Sequence, residues 1–260
     1  MIQVFNPKKC YFISLVNEIN NYKILKLILG KPLYENSIAI WLLLNPIIEL
    51  LNNINIDQKY KIIRYLDIFY ILVPIENSAL RKELFIQFFN LLGESYDRII
   101  DINRNKENIK NLFNIVKFYL PSFQNSTILD YGCGTGLSLE IAKNYHINII
   151  GFDTCPIMLN LARERGMKIW NGKDILKQPL NTIDASISSY VFHLLPEDEN
   201  LNMLFKLLKS GSVLVANFHK DFGLEQANKY LVHLGFKKAP LPNITLSKRH
   251  GTYGIFIKSK

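Results

Sequence analysis

The stretch ILDYGCGTGLS, residues 128–138, decides the fold. An apolar run ends in Asp130, and Gly132, Gly134 and Gly136 follow at alternate positions. The run reads as a strand, the glycines as a tight loop, and the residues from about 137 as the start of a helix. A strand, glycine loop and helix in that order build a crevice at the carboxyl end of a sheet. There the main chain approaches a ligand with no Cβ in the way.

The glycine spacing is G-x-G-x-G, whereas a dinucleotide loop has G-x-G-x-x-G. Asp130, at the strand end, also repels a pyrophosphate. A carboxylate in that position suits a ligand that carries positive charge beside an adenosine. S-adenosylmethionine has a sulfonium, an ammonium and no phosphate.

Around this loop, short apolar runs alternate with helical periodicity. Strands are expected at about 127–131, 147–152, 167–170, 183–188, 212–217, 235–239 and 252–258. Helices are expected at about 137–145, 156–166, 198–209 and 221–234. Such alternation implies right-handed crossovers and a mostly parallel sheet. The last two strands have no helix between them and should pair antiparallel.

LDYGCGTG resembles the first motif of the class I S-adenosylmethionine-dependent methyltransferases, and the likeness runs in order over residues 120–260. It implies an α/β fold: a Rossmann-like, seven-stranded, mostly parallel sheet with flanking helices. It implies S-adenosylmethionine as cofactor, held at the first motif by Asp130, Tyr131, Gly132, Cys133, Gly134 and Gly136. In IIGFDTCPIML, residues 149–159, Asp153 matches the family's acid on the ribose hydroxyls, with Thr154 beside it. Capping of the helix that starts at Pro156 is its alternative or additional role. Met158 is a candidate for the adenine face, or a plain core residue. In WNGKDIL, residues 170–176, Asp174 and the Ile175 main-chain N–H match the pair that reads the adenine. In IDASISSYVFHLLP, residues 183–196, Ser188, Ser189, Tyr190 and His193 follow the fourth strand, where the family places donor and acceptor. Tyr96 and Arg98 match a segment that folds over the cofactor's carboxylate in similar enzymes; a core contact and a surface charge are the alternatives.

Methyl transfer is a displacement at a carbon already activated by the sulfonium, so the protein supplies positioning, dryness and, for some acceptors, a base. His193, after the fourth strand, is the first candidate base, and His219, after the fifth, is the second. The segment after the fourth strand lacks the Asn/Asp-Pro-Pro-Tyr or Phe of enzymes that methylate a flipped DNA base. A small-molecule acceptor, with methylation at O, N or C, is therefore the leading expectation. Methylation of RNA or a peptide, and a non-catalytic cofactor-binding subunit, are the alternatives.

Residues 1–120 contain two glycines and show helical spacing, as in YKIIRYLDIFYILV (60–73) and ALRKELFIQFFNLLGESYDRII (79–100). Asn77 or Ser78 is placed to cap the second run. IAIWLLLNPIIELL (38–51) reads as a buried or kinked helix, too short and too interrupted for a membrane span. The expected organisation is an all-helical domain over 1–120, serving as a lid or a dimerisation layer, and a cofactor-binding domain over 121–260.

The formal net charge of +9 is spread over both halves: 15 basic and 11 acidic side chains in 1–120, 16 and 11 in 121–260. That distribution argues against a dedicated nucleic-acid domain. Three widely spaced cysteines (Cys10, Cys133 and Cys155) form neither a metal pattern nor a disulfide framework, and a reducing cytoplasm is expected. No metal is expected.

Overall fold

The computed structural model describes residues 5, 8–19, 29, 31–35, 37–44, 47–48, 51, 58–66, 68–192, 198–218, 224–246 and 250–259. The chain divides into two units, Met1–Ile100 and Asp101–Lys260.

The first unit is not all helical. Its strands are β1 (Cys10–Leu15), β2 (Leu33–Glu35), β3 (Ile38–Leu43), β4 (Tyr60–Tyr65) and β5 (Phe69–Pro74). They form one sheet in the order β2-β3-β1-β5-β4. Among the described residues the β1–β5 pair is parallel, and β1–β3, β2–β3 and β4–β5 are antiparallel. A short helix α1 (Val16–Ile19) follows β1. After the sheet come α2 (Ser78–Leu92), a 3-10 turn (Gly93–Ser95) and α3 (Tyr96–Ile99). The Asn77 side chain caps α2 by accepting from Leu80 N at 3.0 Å, as its position suggested.

The run 60–73 misled because β5 is buried at all six positions, so it carries no polar alternation. The β4–β5 connection also lacks a glycine: Leu66 takes φ +49 there, a conformation that turn sequences usually announce with Gly or Asn. Burial on both faces explains β3 in the same way, since five of its six residues are buried. One face of the sheet gathers Phe12, Trp41, Tyr70 and Leu72. On the other, Phe69 meets Phe5 at 4.9 Å and Phe88 of α2 at 5.1 Å, both edge-on.

The second unit opens with α4 (Ile102–Tyr119), capped by Asp101, whose side chain accepts from Arg104 N at 3.0 Å. Helix α4 packs on the second sheet through Ile109, Leu112, Phe113, Ile115 and Val116, all buried. The expected boundary at 120 therefore shifts to 100, because this helix belongs to the second core.

The strands of this unit are β6 (Thr127–Tyr131), β7 (Asn148–Phe152), β8 (Lys168–Trp170), β9 (Ile183–Ser188), β10 (Leu208–Phe218), β11 (Phe236–Lys238) and β12 (Thr252–Lys258). Between them lie α5 (Ser138–Tyr145), α6 (Pro156–Glu164), α7 (Gly172–Ile175), α8 (Asp198–Leu207) and α9 (Leu224–His233). The seven-stranded order is β11-β12-β10-β9-β6-β7-β8. From β8 to β10 the neighbours are parallel, while β12 runs antiparallel to both β10 and β11. The order reverses at β6, whose neighbours are β7 on one side and β9 on the other. Ligands bind such a sheet beyond the carboxyl ends of the strands at that reversal. Among the described residues, no helix is long and apolar enough to cross a membrane.

Candidate functional site

The glycine loop leaves β6 at the reversal point. Gly132 N and Cys133 N both donate to Phe152 O at the end of β7, at 2.7 and 2.9 Å. Gly136 N donates back to Cys133 O at 2.9 Å and closes the turn. Gly132, Gly134 and Gly136 have φ of +79, +52 and +81, the left-handed region that favours glycine. A Cβ on Gly132 would run into the Val191 side chain, so here the loop requires bare backbone for its own packing. At Gly134 nothing lies within 4 Å of the Cβ position. The loop tip thus presents main chain to open space.

Two carboxylates stand behind the loop. Asp130, at the end of β6, is 3% exposed. Its Oδ2 accepts from Ser138 Oγ at the start of α5, at 2.5 Å. Its Oδ1 is buried and has no hydrogen-bond partner among the described residues. Burial pushes the Asp130 carboxyl up to about 7; the Ser138 hydrogen bond opposes that and the nearby Asp153 charge adds to it. Asp153, just past β7, accepts from Gly134 N through Oδ2 and from Cys155 N through Oδ1, both at 2.9 Å. Burial also raises its pKa, against the amides of Cys155, Gly134 and Thr154. Asp153 therefore links the first motif to the second and braces the entry to α6. A carboxylate offers about four lone-pair sites, so these amide bonds still leave capacity for a hydroxyl donor.

The remaining expected residues fall on this frame with mixed results. Tyr131 is buried and packs against Phe152 and Phe192 at ring distances of 5.2 and 5.8 Å. Cys133 is buried, and burial holds its thiol well above the ordinary range. Thr154 is exposed beside Asp153. Met158 is 2% exposed and sits on the buried side of α6.

Asp174 closes a reciprocal cap on α7: Asn171 Oδ1 accepts from Lys173 N and Asp174 N, and Asp174 Oδ2 accepts from Asn171 N at 3.2 Å. The Ile175 N–H already donates to Asn171 O at 3.0 Å. Ser188 is fully buried and donates to Tyr131 O at 2.8 Å, a strand-to-strand bond between β9 and β6. Tyr96 and Arg98 belong to the first unit, where Tyr96 meets Phe89 edge-on at 6.1 Å and Arg98 Nη2 donates to Ser95 Oγ at 3.0 Å. His193 and His219 lie outside the described residues.

A polar cluster that sequence reasoning missed stands at the carboxyl ends of β9 and β10. Asn217, fully buried near the end of β10, accepts from Tyr190 N at 2.7 Å and donates to His250 O at 3.0 Å. The Tyr190 hydroxyl lies 3.2 Å from His250 Nδ1, and His250 Nε2 lies 3.2 Å from Glu107 Oε2 on α4. Asn108 donates to Ser189 Oγ at 2.8 Å and accepts from the Tyr253 hydroxyl at 2.9 Å. Of these residues only Ser189 and Tyr190 were singled out. The signal for the rest is topological: β12 runs backwards, so its first residues, Thr252 and Tyr253, pair with Phe218 and Asn217 at the carboxyl edge of the parallel strands.

Residues 129–216 match the family model described as "Methyltransferase domain", a span that runs from β6 through most of β10. Over those residues the second unit is similar to the methyltransferase domain of that family model. No curated relative matches the chain by sequence.

Among solved structures, the chain resembles in fold the Burkholderia thailandensis 1,6-didemethyltoxoflavin-N1-methyltransferase. The TM-score is 0.53 at 13% identity, over 80% of this chain and 99% of that one. It resembles magnesium protoporphyrin IX methyltransferase from Synechocystis PCC 6803 with a TM-score of 0.50 at 17% identity, over 70% of this chain and 100% of that one.

The residues present fit the cofactor. Gly134 leaves room for a ligand at the loop tip, and a buried carboxylate oxygen behind it is without a partner.

Proposed function

We propose that this chain methylates a small-molecule acceptor, with its cofactor bound across the carboxyl ends of β6 and β7. The observation that carries this reading is the pairing of an open glycine tip with a buried and a half-buried carboxylate, acidic groups that suit a cationic nucleoside better than a diphosphate. S-adenosylmethionine, when bound, supplies a methyl group on a sulfonium.

The chain's own part is to bind and orient. Asp153 keeps the Gly134 amide in place and offers its remaining lone pairs to the ribose hydroxyls. The α7 cap holds Asp174 and Ile175, the pair that the family resemblance assigns to the adenine. Asp130 sets the charge of the cleft from beneath the loop. A small acceptor is supported by the segment after β9, Ser-Ser-Tyr-Val-Phe, which lacks the diproline clamp for a flipped base. His193 and His219 remain candidate bases by their place after β9 and β10.

Calorimetry tests the reading. S-adenosylmethionine and S-adenosylhomocysteine should bind and NAD should not. Uptake of NAD with neither of the other two bound would overturn it.

A further inference from the structure

Tyr190, His250 and Glu107 form a chain of contacts drawn from three separate parts of the second unit: the loop after β9, the residue that leads into β12, and helix α4. Two of the members are held by a buried asparagine. Tyr190 takes φ +59, an uncommon backbone state for a bulky residue, and Asn217 Oδ1 accepts from its amide at 2.7 Å. The His250 carbonyl accepts from the Asn217 side chain at 3.0 Å, and the His250 ring is fully buried. One buried asparagine thus sets the distance between the phenol and the imidazole.

The chain of contacts has a direction. With its hydrogen on Nε2, which lies 3.2 Å from Glu107 Oε2, the His250 ring leaves Nδ1 to act as an acceptor. Nδ1 then accepts, and the Tyr190 hydroxyl donates to it. Arg104 of α4 also hydrogen-bonds the Tyr190 oxygen and favours its ionised form, against the burial that disfavours it. Tyr190 stands next to Val191, whose side chain lies against Gly132 of the cofactor loop. Tyr190 therefore follows β9 at the carboxyl edge that also carries the glycine loop.

We propose that Tyr190 is a catalytic residue that takes the proton from the acceptor, that His250 and Glu107 are positioning residues acting through it, and that the acceptor is a phenol or enol hydroxyl. This inference rests on the methyl-transfer reading above. The acceptor oxygen forms its bond to the methyl carbon as the carbon–sulfur bond breaks and the electron pair stays on sulfur. The acceptor's proton passes to the Tyr190 oxygen as Tyr190 gives its own proton to His250 Nδ1. The positive charge lost from sulfur reappears on the imidazolium, which faces Glu107. Proton transfer between two hydroxyls of similar acidity has no large free-energy difference to overcome, which matches a phenolic acceptor to a tyrosine. A carboxylate acceptor arrives without a proton and has no use for such a relay.

The test uses the full chain. Calorimetry with S-adenosylhomocysteine on the wild type and on Tyr190→Phe first separates the two levels: failure of the wild type to bind overturns the methyl-transfer reading itself. Methyl-labelled S-adenosylmethionine is then offered with a panel of phenols of graded acidity. The wild type should methylate phenols. Tyr190→Phe should lose about 10²–10⁴-fold in turnover on weakly acidic phenols, bind S-adenosylhomocysteine as the wild type does, and recover on nitrophenols that arrive ionised. Cofactor binding with no phenol methylated, or a Tyr190→Phe rate within threefold of wild type, overturns the proposal. A second readout requires no turnover. Nitrogen-15 spectra of the cofactor-free protein should show His250 with its hydrogen on Nε2 and an Nδ1 shift that changes in Tyr190→Phe; the opposite tautomer overturns the relay.

Discussion

Asp130 and Asp153 stand behind the glycine loop, and both have pKa values raised by burial. For Asp130 the direction has a measurable sign. In the unfolded chain its carboxyl releases the proton near its ordinary value of 3.8; in the folded protein it holds on until about 7. The folded state therefore binds more protons across that window. Its contribution to stability is fully present below pH 4, declines as pH rises, and is gone above 7. Denaturant midpoints of the cofactor-free protein at pH 5 and pH 8 should show the loss. Asp130→Asn, which cannot ionise, should flatten the slope. An equal slope in the variant would assign the pH dependence to other groups.

At the level of elements, α7 has only four residues, and its existence depends on its cap. Asn171→Ala removes the side-chain acceptor for two amides and should cost about 1 kcal/mol. Equilibrium denaturation checks that loss, and calorimetry should show weaker S-adenosylhomocysteine binding because Asp174 and Ile175 lose their frame. The elements of the second unit were legible in sequence because their strands are short, bounded by turn residues and alternated with amphipathic helices. The strand over Thr252–Lys258 and the strand over Ile183–Ser188 coincide with the expected ones.

The sheet of the first unit was illegible for a physical reason. Strands β3 and β5 are apolar on both faces, and a run such as FYILV satisfies helical and extended spacing equally well. The site shows the same division. The glycine loop and its two acids announce themselves by spacing, whereas His250 and Glu107 meet Tyr190 only through the reversed direction of β12 and the packing of α4. No pattern along the chain encodes that meeting.

On the scale of the whole molecule, the boundary between units has a direct consequence. Helix α4 buries Leu112, Phe113, Ile115 and Val116 against the second sheet and carries Glu107 and Asn108. A fragment of residues 101–260 should give a cooperative thermal transition by circular dichroism and bind S-adenosylhomocysteine. A fragment of residues 121–260, cut where the sequence first suggested, should not fold, because one face of β9 and β10 is left bare. Equal behaviour of the two would remove α4 from the core.

The order of the strands also bears on how the protein is made. Strand β12 is synthesised after β11 yet lies inside it, between β11 and β10. While the ribosome is still adding the residues that follow Phe218, the long β10 has no neighbour on that side and β11 has none at all. The nascent chain therefore carries an open, apolar sheet edge until residue 258 has emerged. A pause in translation over that interval exposes the chain to intermolecular strand pairing that the finished sheet excludes.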